Sequence, residues 1–218
     1  MSSLVRTFQA GATALAIAVG GIGLAHADAI PYPNSGTENP VVYSFTAAST
    51  GDVIAYFTGT GASYSESLGM FVNGVLSPNG FGLGNHSSNI GDSFNLGHVN
   101  AGDSLVFAIN VFNPQLSPPY VYSDPSLNGP YDFGTAGAGA NHIYSVPYTA
   151  TSPLFPGVPA GTYVAFEDLP AGGSDFNYFD ETYVFTNVSS HVAVPEPAAM
   201  AVLGVGLLGL GMVRRRRA

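Results

Sequence analysis

The sequence predicts an all-β domain, a single antiparallel β-sandwich of jelly-roll-like kind, bracketed by apolar terminal segments of a different character. Short runs rich in Val, Ile, Phe, Tyr and Thr recur between Gly, Asn, Asp and Pro, and helical periodicity is nearly absent from residues 28–193. Asn73-Gly74 directly follows the apolar run Gly69-Met70-Phe71-Val72, and this dipeptide favours the type I′ turn of a hairpin. Many short strands with turn residues between them are the pattern of a two-sheet sandwich. A body of about 165 residues is one ordinary domain able to bury a core.

In chain order, strands are expected near Val41–Ala47, Val53–Thr58, Leu68–Val72, Ser93–Leu96, Leu105–Val111, Ile143–Tyr148, Tyr163–Phe166 and Thr182–Asn187. Gly51, Gly102 and Gly161 each precede one of these runs, as turns between strands require. From Asn113 to Asn141 the chain is instead dense in Pro, Gly, Ser and Tyr. So long a loop is usually functional or disordered. Tyr120, Tyr122 and Tyr131 within it could stack on sugars, but covering the sandwich is the simpler expectation. The chain has no cysteine, so stability must come from packing, with or without a bound ion.

The two ends read differently. Arg6, an apolar stretch from Ala10 to Leu24 and Ala25-His26-Ala27 form a secretory signal peptide, residues 1–27, with cleavage expected after Ala27. Residues 194–218 begin Val194-Pro195-Glu196-Pro197, continue through an apolar run at 198–213, and end Arg214-Arg215-Arg216-Arg217-Ala218. As a helix that run would be about 24 Å long. This is short for a hydrocarbon core of about 30 Å, and arginines reaching for the phosphates extend it. A cluster of four arginines holds that end in the cytoplasm and leaves residues 28–193 outside. Gly204-Val205-Gly206-Leu207-Leu208-Gly209 matches a dinucleotide-binding fingerprint in spelling only, because no strand precedes it and the chain soon ends.

The C-terminal block resembles the PEP-CTERM sorting signal of bacteria that make exopolysaccharide. Pro195, Glu196 and Pro197 match its motif, Gly204 to Gly211 its glycine- and leucine-rich span, and Arg214 to Arg217 its basic end. The resemblance implies an exported precursor held in the inner membrane. A membrane protease of the exosortase type would then cleave it near the motif and pass the body to the cell surface or extracellular matrix.

Charge is distributed to the same effect. Arg6 and Arg214 to Arg217 are all the basic residues present besides histidine, so residues 28–193 contain no Lys or Arg. That segment holds thirteen of the fourteen carboxylates and carries a net charge near −13. Nucleic acid is excluded as a partner, because nothing would displace phosphate counterions. A buried carboxylate here must rely on backbone N–H, His, a proton or a metal ion. A divalent cation is the external partner that such a domain suits best.

The acidic residues concentrate in Phe166-Glu167-Asp168-Leu169 and Ser174-Asp175-Phe176-Asn177-Tyr178-Phe179-Asp180-Glu181. Calcium takes six to eight oxygens, and closely spaced Asp, Asn and Glu can direct several at one point. The loop is not an EF-hand, since the central glycine and closing glutamate are absent. The segment resembles a motif of uncharacterised extracellular bacterial domains, which pair an aromatic-Glu-Asp-Leu element with an Asp-x-Asp-Tyr-Asn-Asp loop. Glu167, Asp168, Asp175, Tyr178 and Asp180 match; Asn177 and Phe179 depart from it. The resemblance and the residue types nominate Glu167, Asp168, Asp175, Asn177 and Asp180 as calcium ligands. The bland alternative is a turn whose carboxylates accept backbone N–H bonds.

Other motifs carry less. Gly102-Asp103-Ser104-Leu105 spells an esterase signature, yet a strand follows it rather than precedes it and no Asp-x-x-His exists, so Ser104 reads as a turn residue. His86, His98, His142 and His191 lack metal-ligand spacing. Asn85-His86-Ser87 and Asn187-Val188-Ser189 match the glycosylation sequon. The sequence thus points to a non-enzymatic, exported structural or adhesive protein associated with exopolysaccharide. A carbohydrate-binding module is the alternative, and a glycoside hydrolase using two clustered carboxylates is a more distant one.

Overall fold

A computed structural model describes residues 30–113, 119–132, 139–150 and 154–192. They form strands β1 (Tyr43–Ala47), β2 (Gly51–Thr60), β3 (Ser65–Val72), β4 (Val75–Leu76), β5 (Ser93–Val99), β6 (Ser104–Phe112), β7 (Tyr120–Tyr122), β8 (Ile143–Tyr148), β9 (Gly161–Phe166), β10 (Glu181–Thr186) and β11 (Val188–Val192). One antiparallel sheet has the order β11-β1-β6-β3-β4, with β7 also paired to β6; the other runs β5-β2-β10-β9-β8. Each of the eight expected strands is present, with ends moved by a few residues. Among the described residues no helix is long and apolar enough to cross a membrane. The signal peptide, the Pro195-Glu196-Pro197 motif, the 198–213 segment and Arg214 to Arg217 lie outside the described residues.

Side-chain alternation sorts each strand between core and surface. Leu68 and Met70 of β3 and Leu105, Phe107, Ile109 and Val111 of β6 face inward from the first sheet. They meet Val53, Ala55 and Phe57 of β2, Val164 and Phe166 of β9, and Tyr183 and Phe185 of β10. Phe107 and Phe185 stack across the two sheets with ring centroids 3.9 Å apart. The second sheet is covered on its outer face as well. There Tyr163, Ala165 and Val184 pack with Tyr32, Tyr148, Phe155 and Tyr178. Burial on both faces explains why Tyr163–Phe166 of β9 and Tyr183–Phe185 of β10 read as unbroken apolar or aromatic runs rather than alternating ones.

The turns follow their chemistry. Asn73 and Gly74 take φ values of 49° and 84°, the two positive angles that a type I′ turn demands, and join β3 to β4. Asn187, at φ 62°, turns the chain out of the second sheet into β11 of the first. Its side chain accepts from Ser49 N at 2.8 Å and donates to Ser49 O at 3.0 Å. This sequon asparagine is thus a corner fastening. Strand β11 escaped sequence reading because Ser189, Ser190 and His191 give it no apolar alternation; it is an edge strand paired to β1.

The 113–141 stretch is more than a cover. Tyr120–Tyr122 adds β7 to β6, Pro125–Leu127 forms a short 3-10 turn capped by Asp124, and Tyr131 lies in the central core. Since Phe107 is fully buried and bridges the sheets, Phe107→Ala is expected to cost about 3–5 kcal/mol of folding stability. Urea unfolding measures this; a loss below about 1 kcal/mol would mean that the inter-sheet stack is not part of the core.

Candidate metal centre

The site lies where β9 and β10 meet one end of the core. Phe166 closes β9 facing inward, so the chain leaving it carries Glu167 and Asp168 past the edge of the sandwich. It returns through a turn at Pro170–Ser174 and re-enters the sheet at Glu181, which pairs with both Phe166 and Thr60. Asp180 N donates to Phe166 O at 3.1 Å, and Asp168 N donates to Asp180 Oδ2 at 2.8 Å. These bonds tie the two acidic segments to each other. One carboxylate oxygen from each of Glu167, Asp168 and Asp180 lies within 4.8 Å of the others.

Three of the five nominated ligands are therefore brought together. Asp175 and Asn177 form a turn of their own. Asn177 N and Nδ2 donate to Asp175 Oδ1 and Oδ2 at 3.1 and 2.9 Å, and Phe179 N donates to Asn177 Oδ1 at 2.7 Å. The Asp175 charge still reaches Glu167, whose carboxyl is raised first by burial and next by that charge. Phe179, in place of an asparagine, packs its ring over Gly59 and Gly61; a Cβ at Gly61 would come within 2.8 Å of it.

Two carboxylates at this end were not among the nominated ligands: Glu181, within the acidic segment, and Glu66, which no motif singled out. Glu66 and Glu181 are 4% and 0% exposed. Glu66 lies in phase with Leu68 and Met70 on β3, and Glu181 with Tyr183 and Phe185 on β10. Both precede the expected strands Leu68–Val72 and Thr182–Asn187, and extending the period-two alternation back by one or two residues would have put them on the core face. The Glu66 backbone is held by Asn85, whose Oδ1 accepts from Glu66 N at 3.0 Å while its own N–H donates to Glu66 O at 3.2 Å. Asn85, the other sequon residue, is thereby buried and structural.

The electrostatics follow from this crowding. Burial, then the Glu181 and Asp168 carboxyls beside it, push Glu66 up to about 12. Burial and the Asp168 and Glu167 charges raise Asp180 to about 9, and burial raises Glu181 to about 8. The Glu66 and Asp168 carboxyls abut, and two carboxylates have no donor between them unless a proton or cation supplies the link. Among the described residues seven buried side-chain oxygens lack a hydrogen-bond partner, and five belong here: both of Glu66, both of Glu181 and Oε2 of Glu167. The Tyr183 hydroxyl lies near Glu181 but is aimed at Leu83 O, at 3.4 Å. Three converging carboxylates bordered by orphaned carboxylate oxygens, in a body without Lys or Arg, are a donor set that suits a hard cation.

A hydrogen-bond network braces the outer side. Tyr131 donates its hydroxyl proton to Asp168 O. His142 Nδ1 is 3.1 Å from Glu167 O and its Nε2 is 3.1 Å from Asp132 Oδ1. Burial pushes Asp132 up, but the His142 bond and the Ala171 and Ala140 amides hold it below the usual carboxylate range. The other described histidines have partners elsewhere: His98 with Asp52, His191 with Thr46 and His86 with Ala62 O. Ser104 opens β6, its N–H donating to Asn73 Oδ1.

A clear pH dependence follows for the metal-free protein. Glu66, Asp180 and Glu181 bind protons more tightly folded than unfolded, so their protonation stabilises the fold fully below the ordinary carboxylate range. That contribution drains away as pH rises towards about 8 for Glu181, about 9 for Asp180 and about 12 for Glu66. Asp132 acts oppositely, its contribution being lost as pH falls below that range. With chelator present the melting temperature should therefore fall steadily between about pH 5 and pH 9. A flat profile would show that these carboxyls are not enclosed together.

Comparison with known proteins adds one finding outside the sandwich. No curated protein and no solved structure matches the chain. Residues 193–217 match the PEP-CTERM protein-sorting motif, which marks the chain as an exported protein that passes through a membrane-anchored precursor and is processed by exosortase.

Proposed function

We propose that this is a calcium-binding surface or matrix protein, non-enzymatic and structural or adhesive, which exosortase delivers into an extracellular polysaccharide layer. The observation that carries the calcium reading is the grouping of Glu167, Asp168 and Asp180 oxygens within 4.8 Å in a body without a Lys or Arg to neutralise them. Asp175, at the rim, adds negative potential and is close enough to influence Glu167. The exopolysaccharide setting rests on the sorting signal alone. The same carboxylate geometry favours binding over hydrolysis. Glycosidases separate their paired carboxyls by about 5 Å or more across an open cleft, whereas these oxygens are enclosed and closer.

A second reading, glycan recognition, has one specific observation behind it. The outer face of the first sheet carries a row of rings. Phe71 meets Tyr122 edge-on at 5.6 Å, Tyr122 meets Tyr120 at 6.1 Å, and Tyr120 stacks on Phe81 at 5.4 Å. Aromatic faces are the surface on which sugar rings stack, and a glycan array with Tyr120→Ala as control separates this reading from the structural one.

Calcium at about a hundred times its dissociation constant should raise the melting temperature of the full chain by about 5–10 °C over the chelated protein. Asp168→Asn/Asp180→Asn should abolish that rise. An identical melt with calcium and with chelator would remove calcium from the account and leave an ordinary hydrogen-bonded turn. For sorting, replacing Pro195, Glu196 and Pro197 by alanine should leave an unshortened precursor in the membrane fraction of an exosortase-bearing host. Normal shortening and release of that variant, followed by immunoblot, would detach processing from the motif.

A further inference from the structure

We infer that the cation site is a clamp between the two sheets, with Glu66 of β3 and Glu181 of β10 completing the ligand set of Glu167, Asp168 and Asp180 from the core side. The inference rests on the calcium reading above and extends it in one direction. A surface turn that binds calcium needs nothing from β3. A clamp needs a ligand from each sheet, and Glu66 is the carboxylate that the first sheet supplies to this cluster.

The placement is argued from four independent features. Glu66 and Glu181 stand on inward-facing positions of strands in different sheets. Both side chains are more than nine-tenths buried, and all four of their carboxylate oxygens lack a hydrogen-bond partner. The Glu66 carboxyl lies beside that of Asp168, one of the three grouped residues, and next to Glu181, so it borders the site from the core side. Asn85 fixes the Glu66 backbone from both N–H and C=O, so the side chain is presented from a braced strand.

The oxygen count agrees with the ligand class. Two oxygens each from Glu66 and Glu181, with one or more from Glu167, Asp168 and Asp180, reach the six to eight that calcium takes, whereas magnesium demands a stricter octahedron and keeps several waters. A cation held in this way neutralises charges that burial would otherwise force to take up protons. Sheet closure and cation capture then become a single event. Without the ion, these carboxyls must hold protons to stay enclosed; with it, the same groups can ionise and draw the sheets together on one cation.

The test uses the full chain in mild detergent at pH 7.5, metal-depleted and titrated with terbium and then with competing calcium. The chain has tyrosine but no tryptophan, so sensitised terbium emission reports on nearby tyrosines. Glu66→Gln and Glu181→Gln are each expected to weaken calcium competition by at least the roughly 10- to 100-fold that loss of even an outer partner costs a metal site. Each should also raise the melting temperature of the chelated protein, because a neutral amide enters the core without the proton that a buried glutamate must first take up. That opposite pair of effects is not what a merely structural glutamate would give. In the wild type, calcium should slow hydrogen exchange across Ser65–Val72 as well as around 166–181. Unchanged calcium competition in both variants, with Ser65–Val72 unaffected while Asp168→Asn/Asp180→Asn abolishes binding, would overturn the clamp and leave a surface site. Absence of any calcium response in the wild type would overturn the clamp and the calcium reading together.

Discussion

The constraint on which this structure turns is the burial of negative charge without any basic side chain except histidine to meet it. Most domains that enclose a carboxylate place an arginine or lysine beside it, and the penalty for failing to do so is severe. Here residues 28–193 contain neither, yet Glu66, Glu167, Asp168 and Glu181 are all buried at one end of one core. Backbone N–H groups satisfy a part of the demand, as Asp168 N does for Asp180. The rest is met by protons as long as the pH lies below the raised values of Glu66, Asp180 and Glu181, which links the stability of the fold to the medium around it.

The rest of the architecture serves to hold that end in place. Strands β9 and β10 run through the centre of the second sheet with both faces covered, which makes their ends stiff points from which Glu167, Asp168, Asp180 and Glu181 depart. Tyr131 and Asp132, from the segment between β7 and β8, reach across to Asp168 O, His142 and Ala171 N. Tyr178 is fixed on the opposite side, accepting from Asn39 N and donating to Asn141 O. The acidic segments are thus enclosed by hydrogen bonds that do not compete for the carboxylate oxygens of Glu66 and Glu181. Charge is concentrated where the scaffold is best determined.

Much of the fold was legible in the chain. Runs such as Leu105–Val111 and Ile143–Tyr148 declare themselves because β-branched and aromatic residues alternate with smaller or polar ones between turn residues, and Asn73-Gly74 carries its backbone angles in its identity. β11 was illegible because an edge strand needs hydrogen bonds to its neighbour and no apolar face. β7 was hidden in a Pro- and Gly-rich stretch whose composition suggests a loop, and it exists because β6 offers Ala108 to Asn110 as a pairing edge. At the site, Glu167, Asp168 and Asp180 were found by local density of oxygen ligands. Asp175 and Asn177 were nominated by the same density, but in the structure they form a turn with each other. Density also could not reveal Glu66, which has no acidic neighbour in sequence.

By itself the sequence determined that the protein is exported and processed, which segments alternate, and how much uncompensated negative charge the body carries. A sorting signal is read as a short linear element, and strand alternation and net charge are properties of local order and composition, so none of them needs a folded partner. Only the tertiary structure decided which carboxylates share one space. Antiparallel pairing sets β3 and β10 in different sheets, and packing those sheets face to face brings Glu66 towards Asp168 and Glu181 although the intervening chain gives no sign of it. Contact between sheets depends on register and layer, and neither can be computed from the neighbours of a residue along the chain.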